Sequence, residues 1–305
     1  MPGAYAHITL LHLGIARARE SNALPADRLQ ALNRWTAHAE FGALSPDFPY
    51  LAGHTAWADL MHHSGNNTLL HCGLHALQGL AGEPRERAFA WLMGYAAHMV
   101  ADMTIHPVIN RLVGPYEANK TAHRTCEMHM DVHAFARLGL GDAGLTRHLE
   151  EHLASVETDP ARHLIDPAIG TMWAQMLSQT HPDTARDDPP APHAWYRSFV
   201  GVMHTIRGIN RKLPFARHLG AGFHLDYPHP NELDPRYLNH LPTPHGPMSY
   251  DMVLSLAVAN IQSFWRELTA AIDPPHHLNM EAWNLDTGQS AEEPERLVFL
   301  SLIHI

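Results

Sequence analysis

Hydrophobic residues recur with helical spacing along most of the chain. Between residues 24 and 40, apolar or small side chains return every three to five positions with polar residues between them, as on a helix with one buried face. A second series runs from Pro84, which is suited to open a helix, to Pro107, which we expect to end it. No stretch of the sequence shows the strict alternation typical of a half-buried strand. The pattern predicts a mainly α protein.

Further helices and connections follow from the same pattern and from the positions of glycine and proline. Predicted helices cover residues 55–80 with a kink near Ser64-Gly65, 117–138, 145–157, 160–180, 194–212 and 248–272. Predicted loops cover residues 41–49, 114–115, 139–144 and 223–247. Residues 181–193, HPDTARDDPPAPH, read as a linker or loop. They would separate a helical core, residues 1–180, from C-terminal helices, residues 194–305, that complete the same domain.

The composition fits one folded domain. The chain has 305 residues, of which 45% are hydrophobic, and this is enough apolar material for a single large core. Its 21 basic and 31 acidic residues give a formal net charge of -10. Such a surface repels nucleic-acid backbones, which argues against nucleic acid as a partner. A phosphate-handling site would need positive charge inside a cleft, and bound metal ions supply it.

No stretch reaches the roughly 20 apolar residues that a membrane-spanning helix needs. The first residues, MPGAYAHITLLHL, lack a basic start, and two histidines interrupt their apolar run, so the pattern does not predict a signal peptide. Two cysteines are too few for a disulfide scaffold. We therefore expect a cytoplasmic protein, and the sequence leaves its oligomeric state open.

Histidine is abundant, with 27 residues spread over the whole length, so only spacing can separate ligands from background. His98, Asp102 and His106 follow one another at intervals of four residues. Each interval is about 400° of helix, which puts the three on one face. They stand among alanine, methionine, valine and isoleucine, where polar groups without partners are costly. This spacing is typical of side chains that converge on common ions.

Other histidines and carboxylates add to this set. His123 and Glu127 are again four residues apart, Asp47 stands in LSPDFPY, and His62 stands in WADLMHH. Each pairing alone is also common on an ordinary helix surface. The full set of candidate ligands is His7, Asp47, His62, His98, Asp102, His106, His123 and Glu127. Imidazoles and carboxylates without cysteine suit zinc in open sites, although manganese or iron would accept the same ligands.

The order of these motifs resembles a known superfamily. ALSPD, WxDLMH, HxxxDxxxH and HxxxE follow one another as in the zinc-dependent phospholipase C and S1/P1 nuclease superfamily, and the later WNLDTG at residues 283–288 is similar to bacterial members. The resemblance implies a helical fold with a metal cluster in a cleft. It also implies one zinc held by Asp47, His62, His98 and Asp102. A second would be held by His106, His123 and Glu127.

The resemblance implies a third metal that Asp102 bridges and that His7 and the N-terminal amine hold. Secreted members begin with a tryptophan whose amine and carbonyl bind this metal, whereas the present sequence begins Met-Pro. Loss of Met1 would leave Pro2, whose secondary amine still coordinates metals. The expectation is therefore two or three ions.

The resemblance further implies a metal-dependent hydrolase that cleaves a phosphate ester or phosphodiester with a metal-bound hydroxide. Asp47 would also orient or deprotonate the attacking water, and Phe48 and His63 would line the substrate pocket. Phe48 is equally interpretable as a core aromatic. The expected substrate is a small phosphate ester or a phospholipid head group. Two alternatives stay open, namely a di-iron or other redox enzyme with the same ligands and a metal-binding protein without catalysis.

Overall fold

The computed structural model describes residues 3–140, 148–212, 227–273 and 276–300. In these ranges helices dominate, so the predicted mainly α fold is confirmed. The helices are α1 (Ala4–Ser21), α2 (Ala26–Arg34), α3 (Thr36–Leu44), α4 (Phe48–Leu51), α5 (Thr55–His63), α6 (Asn66–Gln78), α7 (Gly82–Val113), α8 (Tyr116–Phe135), α9 (His148–Ala154), α10 (Pro167–Thr180), α11 (Pro182–Asp187), α12 (Pro192–Lys212) and α13 (Tyr250–Ala270).

Strands are few and short in the described residues. β1 (Glu157–Asp159) pairs antiparallel with β2 (Leu164–Ile165), and β3 (Trp283–Asn284) pairs antiparallel with β4 (Gln289–Ser290). Short 3-10 turns cover Ser45–Asp47, Ala136–Leu138, Pro230–Glu232 and Pro235–Tyr237. None of the described helices is long and apolar enough to span a membrane.

Helix α7 forms the centre of the molecule. Every residue from Ala88 to Ile109 is buried, which is typical of a helix surrounded by other elements on all sides. Its neighbours include α1, α2, α3, α6, α8, α10 and α13. The middle of α7 therefore lies where any polar side chain must find a partner within the protein.

Two glycines set the distance between α3 and α7. A Cβ atom on Gly42 would lie 1.9 Å from the carbonyl oxygen of Trp91, and one on Gly94 would lie 1.9 Å from that of Ala39. Only glycine permits such close backbone approach. The contact brings the C-terminal end of α3, and with it Asp47, next to His98 on α7.

Two predicted boundaries near the N-terminal half are wrong. The predicted helix 24–40 is two helices that meet at Trp35, whose φ of -112° and ψ of 36° depart from helical geometry. The predicted loop 41–49 is mostly helical. Pro46 and Pro49 occupy the first turns of short helices, where proline needs no hydrogen-bond donor. Helix α1 is not among the helices that the sequence predicts.

The expected helix end at Pro107 is wrong as well, since α7 continues to Val113. Proline inside a helix removes one hydrogen bond and costs about 3 kcal/mol. Here tertiary packing covers this turn of the helix, because a Cβ on Gly288 would lie 2.2 Å from Cγ of Pro107 and 2.7 Å from the carbonyl oxygen of Met103. The chain segment around Gly288 thus fits directly against the proline turn.

Later segments differ from prediction in a similar way. The predicted helix 160–180 begins only at Pro167, because β1 and β2 form a hairpin before it. The predicted linker 181–193 contains α11. Residues 141–147 and 223–226, parts of a predicted helix and two predicted loops, lie outside the described residues. The division at residues 181–193 stays a prediction.

Candidate metal centre

Five elements carry the eight predicted ligands. They are His7 on α1, Asp47 at the end of the Ser45–Asp47 turn, His62 on α5, His98, Asp102 and His106 on α7, and His123 and Glu127 on α8. Seven of them are at most 3% exposed, and the side chain of Asp47 is 19% exposed. The fold therefore places the whole set in the interior, with Asp47 nearest to solvent.

The tightest group surrounds His62 and His98. Their Nε2 atoms are 3.4 Å apart, Oδ1 of Asp47 lies 3.4 Å from Nε2 of His62, and Oδ2 of Asp102 lies 3.2 Å from Nε2 of His98. In a tetrahedral zinc site with bonds near 2.0 Å, ligand atoms are about 3.3 Å apart. Asp47, His62 and His98 bring their donor atoms within 4.8 Å of one another, and Asp102 lies next to both histidines of this group.

A second group shares Asp102. Nε2 of His7 lies 3.3 Å from Oδ1 of Asp102, and the rings of His7 and His98 stack with centroids 4.0 Å apart. Donor atoms of His7, His98 and Asp102 all lie within 4.8 Å of one another. The two oxygens of Asp102 thus face two different groups of ligands. The predicted N-terminal amine ligand falls on residues 1 and 2, outside the described residues.

The third group is looser. Nε2 of His106 lies 4.0 Å from Oδ1 of Asp102, and Nδ1 of His123 lies 3.9 Å from Oε1 of Glu127. Among the described residues, these three side chains do not bring their donor atoms within 4.8 Å of one another. All three are nevertheless buried, and burial raises the pKa of the Glu127 carboxyl.

Backbone carbonyls fix the orientation of four imidazoles. Nδ1 of His62 donates to the carbonyl of Ala58 (2.7 Å), that of His98 to Ala43 (2.9 Å) and that of His106 to Leu285 (2.6 Å). Nε2 of His123 donates to the carbonyl of Gly114 (2.6 Å). Since a carbonyl only accepts, the bonded nitrogen carries the proton, and in the neutral form of each ring the other nitrogen is a lone pair free to bind a metal. This is the arrangement that orients metal-binding histidines.

The residues fit a metal by a second criterion. Buried atoms without a hydrogen-bond partner include both ring nitrogens of His7, Oδ1 of Asp47, both carboxylate oxygens of Asp102, Nε2 of His106 and Nδ1 of His123. Buried polar atoms are normally paired. The lone pairs of His62 and His98 also face each other at 3.4 Å. A cation between these atoms would satisfy them together.

The electrostatics of the group also favour positive charge at its centre. Burial lowers the pKa of the His62 imidazole, but Asp47 and Asp102 outweigh it and raise that pKa to about 9. Burial would raise the pKa of Asp102, yet His98 and His106 hold it well below its usual range. Asp102, which is fully buried, thus stays anionic in the interior and needs compensating positive charge.

Residues 6–183 match the family model described as zinc dependent phospholipase C. This chain belongs to that family. The match covers more than half of the 305 residues and contains all eight candidate ligands, so the resemblance drawn from the motifs is confirmed. Comparison with curated proteins and with solved structures gives no match.

The centre comes nearest to solvent at Asp47, whose side chain is 19% exposed. Tyr50 packs on the His62 ring with centroids 5.5 Å apart, and its hydroxyl donates to Asp59 (2.9 Å). Nε2 of His63, the exposed residue after His62, lies 2.8 Å from Oδ2 of Asp286. The side chains of His63 and Asp286 are 39% and 28% exposed. We call Asp47, Tyr50, His63 and Asp286 the mouth of the centre. His63 lies beside the centre, and its role in substrate binding stays a prediction.

Phe48 does not reach this mouth. Its ring is fully buried and packs against Phe199 and Phe41, with centroids 4.6 and 5.5 Å away. Of the two roles considered for Phe48, its position is that of a core aromatic, and it presents no surface to a substrate. Burial of such a ring stabilises the α4–α12 contact by roughly 2 kcal/mol.

Asp286 and Leu285 were missed by the sequence analysis. The carbonyl of Leu285 orients His106, its amide donates to the carbonyl of His62 (2.8 Å), and the carbonyl of Asp286 accepts from Asn110 (2.7 Å). Burial would raise the pKa of Asp286, but the hydrogen bond from His63 and the charge of His106 keep it below its usual range. WNLDTG was the available indication, although no role was assigned to it.

The start of α1 is anchored beside α8. The amide of Ala6 donates to Oδ1 of Asp131 (2.8 Å), the Tyr227 hydroxyl donates to its Oδ2 (2.9 Å), and a Cβ on Gly3 would collide with the same carboxylate. Asp131 follows Glu127 by one helical turn. It therefore fixes α1 at the depth that places His7 against Asp102.

Proposed function

We propose that this protein is a metal-dependent phosphoesterase that hydrolyses a phosphate ester or phosphodiester. The observation that carries the proposal is the convergence of imidazoles and carboxylates of five elements in the interior, where seven of their buried nitrogen and oxygen atoms have no hydrogen-bond partner among the described residues. Membership of the zinc-dependent phospholipase C family supports the same reaction class.

The ligand roles follow from the three groups. Asp47, His62, His98 and Asp102 would hold one ion, and His106, His123 and Glu127 would hold a second. His7 with Asp102 would contribute to a third. Zinc suits this mixture of imidazoles and carboxylates. When bound, such ions neutralise a phosphoryl group and lower the pKa of water toward neutrality.

Residues of the chain would orient the ligands, take up a proton and contact the substrate. The main-chain carbonyls keep the imidazoles oriented, which leaves the ligand atoms no freedom to turn away. Asp47, the ligand nearest to solvent, is placed to orient a water molecule and to take up its proton. His63 and Asp286 at the mouth are placed to contact the part of the substrate that remains outside. Their exposure favours a small ester or a phospholipid head group at the opening.

The test uses the full chain, stripped with a chelator and reloaded with zinc. We expect the zinc-loaded protein to hydrolyse at least one of bis-p-nitrophenyl phosphate, p-nitrophenyl phosphate and phosphatidylcholine in vesicles. The activity should disappear with the chelator and return with zinc. A fully zinc-loaded protein that turns over none of the three would indicate metal binding without catalysis. Oxygen consumption by an iron-loaded protein would favour the redox alternative instead.

A further inference from the structure

Four side chains form a separate cluster outside the metal centre. Nε2 of His12 lies 2.5 Å from Oε1 of Glu40, Nε2 of His148 lies 3.0 Å from the same oxygen, and Nδ1 of His152 lies 2.9 Å from Oε2. Ligand atoms of His12, Glu40 and His148 lie within 4.8 Å of one another. Three imidazoles thus surround one carboxylate.

The cluster does not share residues with the centre already described. His12 follows His7 by five residues on α1, which turns it by about 140° to another face of that helix. Glu40 comes from α3, and His148 and His152 come from successive turns of α9. Three elements that are distant in sequence therefore meet at this point.

The chemistry of the cluster suits a cation. Glu40 is fully buried, and burial would raise its pKa, but the hydrogen bonds from the three histidines outweigh this and lower it. A buried carboxylate of this kind needs compensating positive charge. Two histidines four residues apart on one helix, with rings 4.0 Å apart, are the spacing with which helices bind zinc.

We propose that His12, Glu40, His148 and His152 form an additional zinc site that joins α1, α3 and α9. Three imidazoles and one carboxylate are a common zinc donor set, and imidazole ligands disfavour magnesium and calcium. Zinc ligand atoms stand about 3.3 Å apart in tetrahedral geometry, so the side chains need to move outward from Glu40 by less than about 1 Å.

The placement gives the site a structural role. α9 has seven residues, and an isolated helix of that length is marginal without other support. A bound ion would hold it against α1 and α3. The side chains of His12 and His152 are 27% and 41% exposed, so the ion can enter from and return to solvent. The site is independent of the proposed phosphoesterase activity.

The experiment measures zinc binding rather than turnover. Chelator-stripped wild type, the double variant His148→Ala/His152→Ala and the single variant His152→Ala are titrated with zinc, and bound metal is quantified after dialysis. The matched control is His54→Ala, because His54 is 39% exposed and lies 3.5 Å from a single carboxylate oxygen, of Asp188, in a pair outside both clusters.

We expect the double variant to bind about one zinc equivalent fewer than wild type, and the control to bind as many as wild type. In His152→Ala, one equivalent should bind at least about ten-fold more weakly. If circular dichroism shows that the double variant is unfolded, the zinc affinity of His152→Ala, a single change at a half-exposed position, tests the proposal instead. Equal zinc stoichiometry and affinity in the folded variants, the control and wild type would overturn the proposal.

Discussion

Asp102 is the residue on which the geometry of the metal centre converges. It lies between His98 and His106 on the most buried part of α7, and its two oxygens face separate groups of histidines. Neither oxygen has a hydrogen-bond partner among the described residues. In the proposed centre, a carboxylate in this position would contact more than one ion, so its charge would affect all of them.

We expect Asp102→Asn to lower the bound zinc by more than one equivalent and to reduce kcat/KM by at least about 100-fold. The amide keeps the shape of the side chain but removes the negative charge and one acceptor. Bound metal and hydrolysis rate are measured on the same preparation. Asp188→Asn is the control, since Asp188 is half-exposed and pairs with His54 outside the metal centre. Full metal content in Asp102→Asn would contradict the shared role.

Single residues also show what spacing along the sequence can predict. His98, Asp102 and His106 were identifiable because regular spacing on one helix implies one face. Asp286 was not, because it approaches His63 across more than two hundred residues of sequence. Phe48 was ambiguous for a related reason: an aromatic beside a ligand packs inward or outward depending on partners such as Phe199, which the local sequence does not reveal.

Among the elements, the segment from β3 to β4 controls how the late part of the chain meets α7. Gly288 has a φ of 72° and lies against Pro107 and Met103. The same turn holds Leu285 against His106. A side chain at position 288 would therefore push the segment away from the metal centre.

Gly288→Ala should destabilise the protein and reduce its activity, whereas Gly53→Ala should only destabilise it slightly. Both glycines have positive φ, 72° and 77°, but a Cβ at Gly53 meets nothing within 4 Å. Positive φ costs alanine about 1 kcal/mol, and the collision at Gly288 adds roughly 1–3 kcal/mol. Urea unfolding and hydrolysis rates measure the two effects. Equal loss of stability in both variants would exclude the contact as the cause.

The prolines explain why several element boundaries were mispredicted. Pro107 was expected to end a helix, yet the segment around Gly288 supports the chain through it. The sequence predicts a loop at Pro46 and Pro49, yet each stands in the first turn of a short helix. Local sequence gives the preference of a proline for or against a helix. Whether the preference prevails depends on contacts with distant parts of the chain.

At the scale of the whole molecule, the proposed metal ligands connect elements spread over residues 7–127 of the matched region. α1, α5, α7, α8 and the turn before α4 all contribute to one centre. These ligands come together only when the chain folds, so metal binding would be linked to folding. The predicted helical fold was accessible from the sequence because its long apolar stretches, such as the one that forms α7, are bounded by proline and glycine and show no strand-like alternation.

Chelation should therefore lower the thermal unfolding temperature, and added zinc should restore it. Each ion present at about 100-fold its dissociation constant contributes roughly 2.7 kcal/mol to the folded state. Calorimetry with and without chelator measures the shift. Asp102→Asn, which we expect to lose ions, should show a clearly smaller shift than Asp188→Asn. A melting temperature that does not respond to chelation would separate the metals from folding.

The groups that aim the four imidazoles are main-chain carbonyls, of Ala43, Ala58, Gly114 and Leu285. Every amino acid supplies the same carbonyl, so no substitution deletes it. A saturation mutagenesis map would mark the ligands as intolerant but would register changes at these four positions only as packing effects. The direction of these ligands is thus set by the path of the backbone, and therefore by the fold.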